Sequence, residues 1–228
     1  VDPFRERMRQ AVANYEKAKE FYGRLSEEAK KTPRTLRCDA MIAYSGYWLA
    51  SEVPEKKRLL DECWQLTKEA LKAFEKAEDA LEYGKTYNQL SSSAYGRYFF
   101  EWSFQAREKL IQDAMEYGER AITLLSSVGD LHELVRAYVK AAIHLSTFSY
   151  SFVSDMDEKE RCHQKSLDYW QKANQLSEET ALLGLLGMPG GSPDWSVDEM
   201  LVHYEKALGR AKKTKDKLLI GTALDWLV

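Results

Sequence analysis

Two short stretches of this chain carry residue types that could do chemistry, and neither has the right spacing. "YGKTY" (83–87) contains the Gly-Lys-Thr of a phosphate-binding loop. That loop also needs a glycine five residues before Gly84 and a strand ahead of it. Asp79 stands at the glycine position, so Gly84 reads instead as a packing position inside a helix. Cys162 and His163 are adjacent, with Asp155, Asp157 and Glu158 close by. Neighbours on a helix point about 100° apart, whereas a chelating pair stands at i and i+4. His132, His144 and His203 show no metal-binding spacing either, and this region reads as a solvated helix face. There is no Gly-x-Ser-x-Gly or His-Glu-x-x-His sequence. The chain therefore reads as non-enzymatic, with no metal or cofactor site.

Two recurring patterns point to binding rather than catalysis. Arg34, Lys85 and Arg136 follow one another at intervals of 51 residues, and Arg37, Asn88 and Val139 lie one helical turn further on. Cations near helix starts are poorly placed for the helix dipole. They are either solvated or arranged to receive a carboxylate or phosphate. "AYSGYW" (43–48) returns as "AYGRYF" (94–99), also 51 residues on. Tyr44, Tyr47 and Trp48, like Tyr95, Tyr98 and Phe99, stand at i, i+3 and i+4 and share a helix face. Core packing is their first reading. The serines around them (Ser45, Ser91, Ser92, Ser93, Ser146 and Ser149) suggest that part of this surface lines a groove.

The elements that hold these residues all read as helices. Pro3, Pro33, Pro54, Pro189 and Pro193 fall where helices can begin or end. Between them run segments rich in Ala, Leu, Glu, Lys and Gln with helical periodicity. Helices are expected near 4–31, 34–52, 55–77, 79–101, 104–128, 130–153, 157–177, 179–187, 196–213 and 215–228, with a loop over 187–195 before the last pair. Every second helix repeats a small residue, at Ala18, Ala70, Ala121, Ala173 and Ala207, at intervals of 52, 51, 52 and, across a shortened fourth pair, 34. The intervening helices repeat Ala40, Ser91 and Ala142, and Trp48, Phe99 and Tyr150. A fixed period through a helical chain implies a solenoid in which each unit buries its apolar face on its neighbours.

At its two ends the repeat resembles the tetratricopeptide repeat family. "HYEKALGRAKKTKDKLLIGTALDWL" (203–227) looks like the second helix of one such repeat followed by the first helix of the next, with Tyr204, Ala207 and Leu208 at the motif positions. "AVANYEKAKEFY" (11–22) matches through Ala11, Tyr15 and Ala18, while Thr67 and Gly118 depart from the motif. The period of 51 or 52 exceeds the family's usual length, so longer helices are expected. The resemblance implies an all-α solenoid of antiparallel helix pairs, wound as a right-handed superhelix with a concave groove for peptides or proteins. By analogy, Arg34, Arg37, Lys85, Asn88 and Arg136 would face that groove, with Tyr44 and Tyr95 deeper in it.

Composition narrows the partners. The formal net charge is −3, which argues against a nucleic-acid footprint. No apolar run has the length of a membrane helix. Three well-separated cysteines, Cys38, Cys63 and Cys162, fit free thiols in a reducing compartment, hence a cytoplasmic location. The chain stops at "ALDWLV" without a capping signal and reads as one helical-repeat domain, residues 1–228, cut from a longer protein. Leu224, Trp226, Leu227 and Val228 would leave an unfinished solenoid end that invites dimerisation. The leading expectation is an interaction scaffold binding a protein or peptide with an acidic or carboxylate anchor. The alternative is a ligand- or peptide-sensing region of a larger signalling or transcription regulator.

Overall fold

The computed structural model describes residues 3–26, 28–75, 79–180 and 209. Those residues form seven helices: α1 (Pro3–Gly23), α2 (Glu28–Leu49), α3 (Val53–Glu75), α4 (Ala80–Tyr98), α5 (Phe104–Val128), α6 (Leu131–Phe152) and α7 (Met156–Thr180). No strand occurs among the described residues. Each helix packs on the next in chain order, and α4 also touches α6. Short connections between long helices make neighbours antiparallel. The expected all-α class is observed, and the packing order is that of a helical repeat.

Local chemistry sets the boundaries. Asp79 caps α4 by accepting from Glu82 N at 3.1 Å, and Asp130 caps α6 by accepting from Glu133 N at 3.0 Å. Ser103 caps α5 in the same way, and α5 ends where Gly129 turns left-handed at φ 74°. The first boundary differs from expectation. α1 stops at Gly23, where Arg24 N and Leu25 N bond back three residues to Phe21 O and Tyr22 O. α2 then begins at Glu28, so Pro33 lies inside it rather than before it. Pro33 is fully buried, and packing of its ring offsets the one backbone bond that it cannot donate. Likewise α7 continues to Thr180, where a break near 178 was expected. The helices expected at 196–213 and 215–228, the remainder of 179–187, the loop 187–195, Ala207 and the apolar chain end lie outside the described residues.

The repeat is visible in burial. Ala70, Ala121 and Ala173 have no exposed surface, and the same is true of Ala40, Ser91 and Ala142. Small residues at these positions let long helices approach closely. Ala18 departs from this pattern and is only half-buried, because α1 packs mainly against α2. Larger side chains fill the spaces between pairs, notably Leu60, Phe74, Leu90, Ile111 and Leu125. The serines of α4 do not line a groove. Ser91, Ser92 and Ser93 are buried and satisfied within the core: Ser91 Oγ donates to Ala114 O at 2.7 Å, Ser92 to Asn88 O at 3.1 Å and Ser93 to Gln89 O at 2.9 Å. Ser91 keeps α4 slim beside α5 and α6, and Ser93 Oγ faces Cys63 Sγ of α3 at 3.2 Å. His144, fully buried, stands 3.2 Å from Ser91 Oγ through Nδ1. Burial pushes its pKa down to about 3, with Lys140 adding to the shift.

Candidate functional site

One cleft gathers side chains from α1, α2, α4 and α6 around a volume of about 570 Å³. Phe4, Met8, Ala11 and Tyr15 of α1 form one wall, and Arg37, Met41, Tyr44, Ser45 and Trp48 of α2 form the next. Lys85, Asn88 and Gln89 of α4 and Glu133, Arg136, Val139 and Lys140 of α6 complete it. The cleft is graded along its length. Arg37, Lys85 and Arg136 come from the N-terminal halves of their helices, whereas Tyr44 and Trp48 come from the C-terminal half of α2. Eleven residues separate Arg37 from Trp48, about 16 Å along a helix. The aromatic end is held by edge contacts, Phe4 to Trp48 at 5.6 Å and Tyr44 to Trp48 at 6.3 Å between ring centroids.

The basic end is built from pairs that repeat at a fixed offset. Arg34 pairs with Asp79 at 2.5 Å and Arg37 with Glu82 at 2.7 Å. One repeat later, Lys85 lies 3.6 Å from Asp130, and Asn88 Nδ2 donates to Glu133 Oε2 at 3.1 Å. In every case the partner stands 45 residues further along. The two aspartates are also the helix N-caps, so each serves its own helix start and the preceding repeat together. These pairs explain the cations near helix starts without any ligand, which removes the dipole argument for Arg34, Arg37 and Lys85. Arg136 pairs within its own helix, with Glu133 at 3.0 Å, and its side chain remains 41% exposed.

Electrostatics set the middle of the cleft apart. Lys140 donates weakly to Asn88 O at 3.4 Å. Burial pushes its ammonium down to about 8, with Glu133 opposing the shift and Arg136 reinforcing it. Burial raises the Glu133 carboxyl, but Arg136, Lys140 and the Asn88 bond outweigh it and hold the group below the usual range. Burial drives the Tyr44 phenol up to about 12, so it is neutral and can donate or accept a hydrogen bond. Asn88 is 2% exposed, and its Oδ1 accepts no hydrogen bond. A buried acceptor with no donor among the described residues is uncommon.

Five of the seven expected residues, Arg37, Tyr44, Lys85, Asn88 and Arg136, come together on this cleft. Arg34 sits beside it on Asp79 rather than in its lining. Tyr95 lies behind the lining, tilted against His144 at 4.5 Å, with its hydroxyl 3.2 Å from Thr147 Oγ1. The sequence reading missed Glu82, Glu133, Lys140 and the α1 wall. The signals were present: Glu82 and Glu133 are themselves 51 apart, and Phe4, Met8, Ala11 and Tyr15 share one helical face. Among the described residues no helix is long and apolar enough to cross a membrane. No family model and no curated protein matches this chain.

Proposed function

We propose that the chain is a protein- or peptide-binding module, a tetratricopeptide-like α-solenoid whose concave face includes the α1–α2–α4–α6 cleft. The observation that carries this reading is the grading of that one cleft, from Arg37, Lys85 and Arg136 at one end, through Lys140, to Tyr44, Trp48 and Phe4 at the other. Such a surface suits a segment with a carboxylate anchor and an apolar side chain about 16 Å or less away. The even-numbered helices supply three walls, so partner recognition and repeat stacking use the same residues. A cleft of about 570 Å³ also falls within the range of small-ligand sites. This favours, as a second reading, the sensing of a small amphipathic anion by a larger regulator. A thermal-shift screen of short peptides with free or amidated C-termini, alongside small aromatic and aliphatic carboxylates, separates the two. Stabilisation by peptides alone supports the scaffold, and stabilisation by small acids alone supports the sensor. No response from either set counts against both.

A further inference from the structure

The turns that follow α2, α4 and α6 expose apolar side chains far beyond what these short connections require. Trp48 and Val53 flank the first turn, Phe99, Trp102 and Phe104 the second, and Tyr150 and Met156 the third, all exposed. Trp102 is 96% exposed and Tyr150 89%. Ring contacts join the three turns into one edge: Tyr47 meets Phe100 at 6.3 Å between centroids, and Phe104 meets Phe152 at 5.0 Å. Among the described residues the opposite edge exposes fewer apolar side chains, Phe21, Leu25 and Val128, and Asp79 and Asp130 cap helix starts there. At roughly 150–250 Å² for each aromatic, the exposed fractions of the five rings, 41% to 96%, offer on the order of 700 Å². That exceeds the patch of about 300–600 Å² typical of a monomer. It approaches the roughly 800 Å² that each partner buries in a standard interface.

The charges along this edge are opposed about its centre. Residues 52–58 hold Lys56, Lys57 and Arg58 against Glu52 and Glu55, a net +1. Residues 155–161 hold Asp155, Asp157, Glu158 and Glu160 against Lys159 and Arg161, a net −2. Between them, residues 99–107 are neutral, with Glu101 against Arg107. A patch with an apolar neutral middle and ends of opposite sign is complementary to itself under a two-fold rotation. An anionic membrane would be repelled by the acidic end.

We infer that this edge is a self-association surface. Two copies meet antiparallel about a two-fold axis at the α4–α5 turn, so that the basic α2–α3 turn of one faces the acidic α6–α7 turn of its partner. Sedimentation velocity on the full 228-residue chain tests it. The wild type is expected to sediment as a dimer. Trp102→Glu should weaken association at least tenfold while circular dichroism stays unchanged, because that side chain is almost wholly in solvent; the unfolding midpoint should fall only by the stabilisation that association supplied. Lys57→Glu should also weaken the dimer, and adding Asp157→Lys in the same chain should restore it. A wild type that stays monomeric, or a dimer indifferent to Trp102→Glu, overturns the proposal. So does a monomer whose Trp102 fluorescence shifts on neutral phosphatidylcholine vesicles, which would identify a membrane-facing edge. The peptide-binding reading of the cleft stands or falls separately, since these substitutions lie outside its lining.

Discussion

Asn88 reaches across from α4 to Glu133 on α6, its Nδ2 donating to Oε2 at 3.1 Å, and it does so in the position that Arg37 occupies toward Glu82 one repeat earlier. One relationship, a side chain and its partner 45 residues on, thus stitches α2 to α4 and α4 to α6. At the second stitch an amide replaces the guanidinium. The carboxylate of Glu133 therefore depends for its charge balance on Arg136 and Lys140, both of which line the cleft.

Replacing Glu133 by Gln keeps an acceptor for Asn88 but leaves Arg136 and Lys140 without a counter-charge. The fold should lose about 1–3 kcal/mol near neutral pH. Glu133 is held below its ordinary value of 4.5. A depressed carboxyl stabilises the fold above its unfolded pKa, and that contribution is lost as pH falls through the folded value. Urea unfolding of both proteins should therefore show a gap at pH 7 that narrows below pH 4.5. A gap that stays constant into acid would mean that charge is not the cause.

Lys140 carries the opposite sign. Its folded pKa of about 8 lies below the ordinary 10.5. Between those values the unfolded chain binds a proton that the native chain does not, so stability rises with pH across that window. Below pH 8 both states are charged and the full desolvation cost is present. Lys140→Met should stabilise the protein at pH 7 by about 1–3 kcal/mol, since one pKa unit is about 1.4 kcal/mol. It should also remove the rise between pH 8 and 10.5. Unfolding curves at three pH values in that range check both parts, and an unchanged slope in the variant refutes the assignment.

Gly84 and Gly46 both lie inside helices, yet alanine should affect them oppositely. A Cβ on Gly84 would stand 2.9 Å from Leu125 Cγ and 3.3 Å from Leu124 Cβ, and such overpacking costs about 1–3 kcal/mol. A Cβ on Gly46 would meet Leu59 at 3.5 Å, an ordinary contact. There the helix propensity of alanine should stabilise by up to about 1 kcal/mol. Thermal melts of the two single variants decide it. Equal shifts would show that α4 and α5 are not in close contact at Gly84.

The repeat was legible in the sequence because burial at a fixed spacing leaves small residues at fixed positions: Ala70, Ala121 and Ala173 are all sealed. Pro33 misled the reading because proline's cost within a helix is local, while the packing that offsets it is tertiary. The aromatics divided in a way that spacing alone does not encode. Tyr98 is buried, whereas its neighbour Phe99 and the equivalent Trp48 and Tyr150 face outward. At the cleft, the 51-residue ladder of Arg34, Lys85 and Arg136 was legible, whereas the acidic partners Asp79, Glu82, Asp130 and Glu133 were not. An offset of 45 is neither a helical period nor the repeat length, and it becomes visible only when one repeat is laid on the next.

The most direct test of the cleft is fluorescence anisotropy with a dye-labelled short peptide that ends in an aromatic residue and a free carboxylate, titrated with wild type and with Arg136→Gln. Arg136 is partly exposed and its ion pair lies within one helix, and Lys140 still faces Glu133 when it is lost, so the fold should lose about 1 kcal/mol or less. Wild type is expected to bind the free acid at least tenfold more tightly than the C-terminal amide. Arg136→Gln should abolish that preference while its melting temperature stays within a few degrees. Equal affinity for acid and amide in the wild type, or a preference that survives in Arg136→Gln, would contradict the assignment of the cleft as an anion-anchored binding site.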